Sequence, residues 1–329
     1  MTIRQRNEVN LISISGGKDS TAMMLLAYER GVDAQIVFAD TGHEHPETYS
    51  YVEYLNDWCN TNWDRTIQVV KADFADKFEA RRANIEKLWS QDGIPRERID
   101  RAIAAMAPSG NPFLDLCKLK GRFPSTMARF CTVELKHNPI NALVDELLKL
   151  ERAVISWQGI RAEESPARAN LPEKDVEFGR WDPIPEGFLI YRPLIRWTVQ
   201  EVFAQHHKHG VKWNPLYEKG MARVGCMPCI MARKGEISEI ASRFPAQVDR
   251  LERWEKDVSD CAKRGGASFF ATDKTPDGRT LKGEELKGRS IGIREVVEWA
   301  AGSNDPSQVK LFEDNDQIPS CSSIYGLCE

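Results

Sequence analysis

The stretch Val9-Asn10-Leu11-Ile12-Ser13-Ile14-Ser15-Gly16-Gly17-Lys18-Asp19-Ser20 decides how the rest of the sequence is read. V-N-L-I-S-I-S, from Val9 to Ser15, has the length and apolar content of a buried strand. Gly16-Gly17 ends it, and an apolar run from about Ser20 to Glu29 suits a helix. Two glycines let the backbone turn tightly and come close to an anion with no Cβ in the way. The free N–H groups of the following helix then point at that anion, helped by the helix dipole. Ser15 and Ser20 add hydroxyls and Lys18 a positive charge. A plain strand–helix turn would call for the glycines, but not for Lys, Asp and both serines beside them.

Outward from this loop, Ala34 to Ala39 reads as a second strand ending at Asp40-Thr41-Gly42, and Glu47 to Asn60 as a helix. Thr66 to Val70 and Ala153 to Trp157 supply two more strands. Strands alternating with helices predict an α/β fold, a doubly wound and mainly parallel sheet. Ligands in such sheets sit at the carboxyl ends of strands. The polar signals fall there: Ser15 to Ser20, Asp40 to His45, and Gly159 to Arg168. Asp40 and Gly159 therefore join the loop as expected ligand-binding positions, with a metal as the alternative for Asp40. His43 and His45, in a polar loop, read as solvated side chains.

The charged, helix-like stretch from Phe74 to Met106, closed by Gly110-Asn111-Pro112, reads as a helical insertion over 74–112. Past Trp213 the alternation stops, and a long charged helix is expected near Ile237 to Lys263. The expected division is 1–215 for the α/β domain and 216–329 for a smaller cysteine-containing region. With 329 residues the chain has room for both. Its net charge of -4 argues against a surface coated in positive charge, though not against a local basic patch. No apolar run approaches the roughly 18 residues of a membrane helix. The start, Met-Thr-Ile-Arg-Gln-Arg-Asn, carries no apolar leader, so no membrane and a cytoplasmic location are expected.

Ser15-Gly16-Gly17-Lys18-Asp19-Ser20 resembles the S-G-G-K-D-S signature of the PP-loop ATP pyrophosphatases, which cleave ATP between the α and β phosphates. The resemblance implies an adenine nucleotide alpha hydrolase-like, Rossmann-like fold. It also implies a loop that grips pyrophosphate, and a Mg²⁺-associated role for Asp19. Three further segments are similar to the phosphoadenylyl-sulfate (PAPS) reductase branch. These are Asp40 to Thr48 (D-T-G-H-E-H-P-E-T), Gly159 to Ser165 with Arg168, and Tyr191 to Thr198 followed by Asn214-Pro215-Leu216-Tyr217 and Gly225-Cys226. Arg161 and Arg168 suit bidentate contacts to phosphate or sulfate oxygens. The alternative for both is ion pairing with Glu163, Glu164 or Glu173.

From Cys117 to Pro139 the chain carries Lys118, Lys120, Arg122, Arg129 and Lys136 against one acid, Glu134. It reads either as a solvated loop or as an anion-binding wall, with Arg129 and Lys136 facing substrate and nucleic acid as an alternative partner along Lys118 to Lys136. Arg129-Phe130-Cys131-Thr132 is similar to the place where adenylyl-sulfate reductases carry two adjacent cysteines; here Thr132 replaces the second. A Cys-Thr ahead of Leu135-Lys136 resembles the sulfur-inserting relatives that make DNA phosphorothioates.

Of eight cysteines, Cys226 and Cys229 form a C-x-x-C suited to two thiolates on one metal. Cys321 and Cys328 are the expected second pair, with Cys131 a competing ligand. Spacing does not choose between Zn²⁺ and a [4Fe–4S] cluster, and the resemblance favours iron–sulfur. Cys59, Cys117 and Cys261 read as structural thiols.

Three functions follow. The first is ATP-dependent adenylylation coupled to sulfur transfer, with Mg²⁺, a sulfur donor, and Lys18, Asp19 and Arg161 as catalytic residues. The second is reduction of PAPS or adenylyl sulfate, releasing sulfite with a thioredoxin-like reductant. The third is a nucleotide-dependent binding subunit without turnover.

Overall fold

The computed structural model describes residues 8–150, 152–175, 188–270 and 291–302. In chain order the elements are β1 (Glu8–Ile14), α1 (Lys18–Glu29), β2 (Ala34–Asp40), α2 (Pro46–Trp63), β3 (Ile67–Lys71), α3 (Lys77–Gln91), α4 (Arg96–Ala105), α5 (Pro112–Lys120), α6 (Phe130–Thr132), α7 (Asn138–Lys149), β4 (Ala153–Trp157), α8 (Pro166–Ala169), β5 (Lys174–Asp175), β6 (Phe188–Tyr191), α9 (Val199–Lys208), α10 (Lys234–Arg243), α11 (Pro245–Cys261) and α12 (Ile293–Ala301). Among the described residues no helix is long and apolar enough to cross a membrane.

Two compact units divide the described chain. The first takes 8–72, 132–150, 152–175 and 188–226; the second takes 73–131, 227–270 and 291–302. The stretch expected as an insertion at 74–112 thus falls in one unit with the residues after Cys226.

The first unit is the α/β body. Its strands run in the order β3-β2-β1-β4-β6-β5, parallel throughout except for the two-residue β5. The period-two alternation of a strand separates its two faces. Val9 and Leu11 of β1 and Val37 and Ala39 of β2 pack with Ile140, Val144 and Leu147 of α7. Ile12, Ile14, Ile36 and Phe38 face the other way, onto α1, α2 and Val202 of α9. α1 is buried along nearly its whole length, from Asp19 to Ala27, which is why its sequence is apolar on every side. From β1 the chain winds outward to β2 and β3, then returns to the other side of β1 at β4. A crevice opens at such a reversal, beyond the carboxyl ends of β1 and β4.

The second unit is helical. Phe113, Trp254, Phe123 and Phe269 form its aromatic centre, with Phe113 stacked on Trp254 at 5.7 Å and Phe123 edge-on to Phe269 at 5.4 Å. Arg98 donates to the backbone carbonyls of Asp260 (3.0 Å) and Ala262 (3.1 Å), closing the end of α11. Buried Glu255 accepts from the Phe269 and Ile293 amides, each at 2.8 Å. Burial pushes its carboxyl pKa up against those hydrogen bonds.

Two expectations are corrected here. The single helix expected from Ile237 to Lys263 is two, because Pro245 lacks an N–H and opens a new helix as its first residue. The basic stretch after Cys117 is not a continuous loop. Asn111 caps α5 by accepting from Leu114 N at 3.0 Å, and the helix carries Lys118 inward, where its ammonium donates to the Ala107 carbonyl. Lys120 and Arg122 instead lie over the Phe130 ring, each at 5.8 Å.

Leu25→Ala should cost about 2–5 kcal/mol in urea unfolding, because Leu25 is fully enclosed in α1. Leu150→Ala, at a 69% exposed position, should stay within about 0.5 kcal/mol.

Candidate functional site

The crevice between β1 and β4 is built from the loop Ser15–Ser20. Gly16 adopts φ +79°, and a Cβ there would stand 2.8 Å from Thr48 Cγ2. Only glycine meets both constraints without strain. Ser20 Oγ donates to Gly17 O at 3.0 Å and lies 3.1 Å from Ser15 Oγ, while Ser15 N donates to Ser20 Oγ at 3.2 Å. The serines thus fix the loop from inside. Gly17 is the N-cap of α1 and offers no side-chain cap; its own N–H donates to Ser15 Oγ at 3.4 Å.

Gly159 sits at the end of β4, where a Cβ would meet the backbone of Asp19 and Ser20 at 3.2 Å. Its lack of a side chain lets α1's first turn press against that strand end. Two residues on, Arg161 Nε donates to Asp19 Oδ1, and both side chains are buried. Arg161 also pairs with Glu163 at 2.6 Å. Burial works against the guanidinium charge, but Asp19, Glu164 and Glu163 outweigh it and the pKa is raised. Asp19 Oδ2 meets the Lys18 ammonium at 2.8 Å yet receives no hydrogen bond from the described residues. Glu164 accepts from Arg161 N at 2.8 Å and pairs with buried Arg168. The ion-pair alternative for the arginines therefore holds in part, inside the protein rather than on its surface.

Three residues of the later chain grip the loop. Asn214 Nδ2 donates to Gly16 O at 3.1 Å and to Thr48 Oγ1 at 3.2 Å. His206 Nε2 donates to Lys18 O at 2.9 Å, and Tyr217 Oη accepts from Lys18 N at 3.1 Å. Burial holds the His206 pKa below the ordinary histidine value, so the ring is neutral around it. His206 was not anticipated from sequence; a histidine 188 positions away gives no local signal. Asn214 and Tyr217 were flagged only as part of a resembling motif.

At the end of β2, Asp40 Oδ1 accepts from Gly42 N at 2.8 Å and from the Tyr49 hydroxyl at 2.7 Å, and Oδ2 lies 3.6 Å from the Lys71 ammonium. Asp40 is thus engaged in shaping its own turn. Buried Glu44 accepts from Thr41 Oγ1 at 2.6 Å and from Tyr49 at 2.9 Å. Burial first, then the Glu44 and Asp40 charges, push the Tyr49 pKa well above its ordinary value, so it keeps its proton. A short antiparallel bridge joins Glu44 to Cys226, whose Sγ lies 3.6 Å from Glu44 Oε1. The two histidines expected in solvent are buried instead. His43 is 1% exposed, and His45 caps α2 by accepting from Glu47 N at 3.2 Å.

The remaining expected site residues are scattered between the units. Lys136 lies half-buried in the first unit, whereas Arg129, Cys131 and Cys229 belong to the second. Cys321 and Cys328 lie outside the described residues. Among the described residues no three His, Cys, Asp or Glu side chains gather to hold a metal ion. Cys59, Cys117 and Cys261 are fully buried, and burial pushes their thiol pKa values up, to about 12 for Cys59 and about 11 for Cys261.

Residues 10–232 match the family model described as phosphoadenosine phosphosulfate reductase domain. A 37.8 kDa protein of Escherichia phage 186, named as uncharacterized, is 42% identical across 98% of this chain and 97% of its own. Phosphoadenosine 5'-phosphosulfate reductase of Vibrio atlanticus is 26% identical across 71% of this chain and 72% of its own. The crystal structure of a phosphoadenylyl-sulfate reductase from Candida auris, a phosphate complex, covers 66% of this chain and 80% of its own at 18% identity, with a TM-score of 0.37.

Gly159→Ala should lower stability by about 1–3 kcal/mol, since two backbones would have to separate. His206 carries a pH signature. Its folded pKa lies below the unfolded value, so its share of stability is complete above about pH 6.5 and declines as pH falls below that. Urea titrations from about pH 8 to about pH 5 should show His206→Gln losing less stability across this window than the unaltered protein.

Proposed function

The chain belongs to the phosphoadenosine phosphosulfate reductase family, and on that premise we propose that it is an enzyme of sulfur chemistry that binds an adenine nucleotide at Ser15–Ser20. The reaction we favour cleaves ATP to AMP and pyrophosphate and activates an acceptor for sulfur transfer. The observation that carries this reading is the start of α1, where Lys18 and Arg161 meet on either side of the Asp19 carboxylate. A pyrophosphate group matches that combination of helix N-terminus and fixed positive charge.

In this reading the acceptor oxygen attacks the α-phosphate, the bond to the β-phosphate breaks, and pyrophosphate leaves into the loop. A sulfur nucleophile then displaces AMP. Lys18 and Arg161 stabilise the charge that builds on the phosphates, and Gly159 keeps both halves of the site at a fixed separation. Asp19 Oδ2, a buried carboxylate oxygen that meets the Lys18 ammonium at 2.8 Å, would hold Mg²⁺ in exchange for that contact, and the ion would offset phosphate charge. A four-thiolate centre at Cys226, Cys229, Cys321 and Cys328 is a separate proposal, two of whose ligands lie outside the described residues. Adenylylation moves no electrons and does not call on such a centre.

The second reading, reduction of PAPS to sulfite with a thioredoxin-like reductant, is favoured by the names of the relatives matched at about a quarter identity. It requires a nucleophilic cysteine, for which this chain offers Cys321 or Cys328, both outside the described residues.

Anaerobic incubation with ATP, and separately with PAPS and thioredoxin, distinguishes the two. Pyrophosphate and AMP are expected from ATP; sulfite from PAPS would establish the reductase instead. Lys18→Ala and Asp19→Asn should each lower pyrophosphate release by about a hundredfold or more while the protein stays folded. Undiminished release from both variants would sink the assignment of the loop.

A further inference from the structure

Lys18 presents two groups to an anion, its backbone N–H and its ammonium, and in this structure both are engaged. The N–H donates to Tyr217 Oη at 3.1 Å. The ammonium lies 2.8 Å from Asp19 Oδ2 and 5.3 Å from the centre of the Tyr217 ring. The Tyr217 oxygen is therefore the acceptor on the first amide of α1, a position a phosphate oxygen occupies when a helix N-terminus binds an anion. A phenol oxygen and a phosphate oxygen cannot both lie along one N–H at full strength.

The geometry points to Tyr217 as a removable stand-in for a phosphate oxygen, an acceptor built into the chain that a nucleotide must displace. The inference rests on reading Ser15–Ser20 as the phosphate loop. Its second support is that the loop has other anchors that stay when Tyr217 leaves. Asn214 holds Gly16 O, His206 holds Lys18 O, and the Ser15–Ser20 contacts lie within the loop itself. Withdrawal of the phenol thus frees an amide while the loop keeps its shape. Tyr217 is half-buried, on the segment that follows α9. A ligand offering several acceptor oxygens at once, such as a diphosphate, replaces the lost hydrogen bond and adds others. A singly bonded anion only exchanges one acceptor for another. Tyr217 thereby raises the threshold for occupancy and favours polyphosphates over simple anions.

The test is calorimetric titration of inorganic pyrophosphate into the full chain and into Tyr217→Phe, which keeps the ring and removes the acceptor. One net hydrogen bond corresponds to an affinity gain of about two- to tenfold in the variant. Tyr217→Met, which also lacks an acceptor hydroxyl, serves if the phenylalanine variant fails to fold. Tighter binding by the hydroxyl-less variant supports the stand-in. Equal or weaker binding overturns it, making Tyr217 a loop support or a ligand contact while the nucleotide reading stands. Failure of both the unaltered protein and the variant to bind pyrophosphate overturns the stand-in and the nucleotide reading together.

Discussion

Asp19 and Arg161 lie 142 positions apart in sequence and meet inside the protein, in the crevice where the direction of winding reverses. A buried carboxylate or guanidinium alone would be expensive, and each removes most of that cost for the other. Their contact ties the first turn of α1 to the segment after β4, and so joins the two wings of the sheet at the point where both present polar groups. Gly159 allows the approach by having no side chain, and Gly16 supplies the backbone angle that starts the helix there. Loop, crevice and charge arrangement all depend on this one junction.

Much of this was legible in the sequence because strand and helix patterns are local. The first four strands fall within a residue of where their apolar runs place them, and β4 coincides with its run at both ends. β6 was not distinguished: four residues, F-L-I-Y, ahead of Arg192-Pro193 are too short to show a period. α5 was missed for a different reason. Asn111-Pro112 closes the charged segment before it, and an Asn cap followed by Pro at the first helical position is equally a start signal. The site divides along the same line. Ser15 to Ser20 announce themselves by composition, and Gly159 to Arg161 by their place at a strand end and by resemblance to a family motif. The grips of His206 and Tyr217 on the loop join positions 188 and 199 apart, which no local pattern encodes.

The histidines of the β2 loop show how polarity misleads when the fold is unknown. His43 and His45 lie among acids and hydroxyls, a composition that suggests solvent. The chain instead turns inward there because Asp40 and Glu44 both use the Tyr49 hydroxyl, and His45 ends that turn by capping α2. Lys118 is the mirror case: a charged residue in a basic run whose helix points it at a backbone carbonyl. Residue type sets what a side chain requires, and long-range packing sets where that requirement is met.

The order of the strands bears on how the chain matures. β1 lies between β2 and β4, pairing with β4 from Glu8 opposite Ala153 and with β2 from Asn10 opposite Ala34. During synthesis β2 and β3 emerge soon after β1, but residues 73–131, which belong to the other compact unit, intervene before β4. Through that interval one edge of this largely buried strand has no neighbour. An open apolar edge invites pairing with other chains. Chaperone protection of the nascent polypeptide should therefore matter most while those intervening residues are being translated.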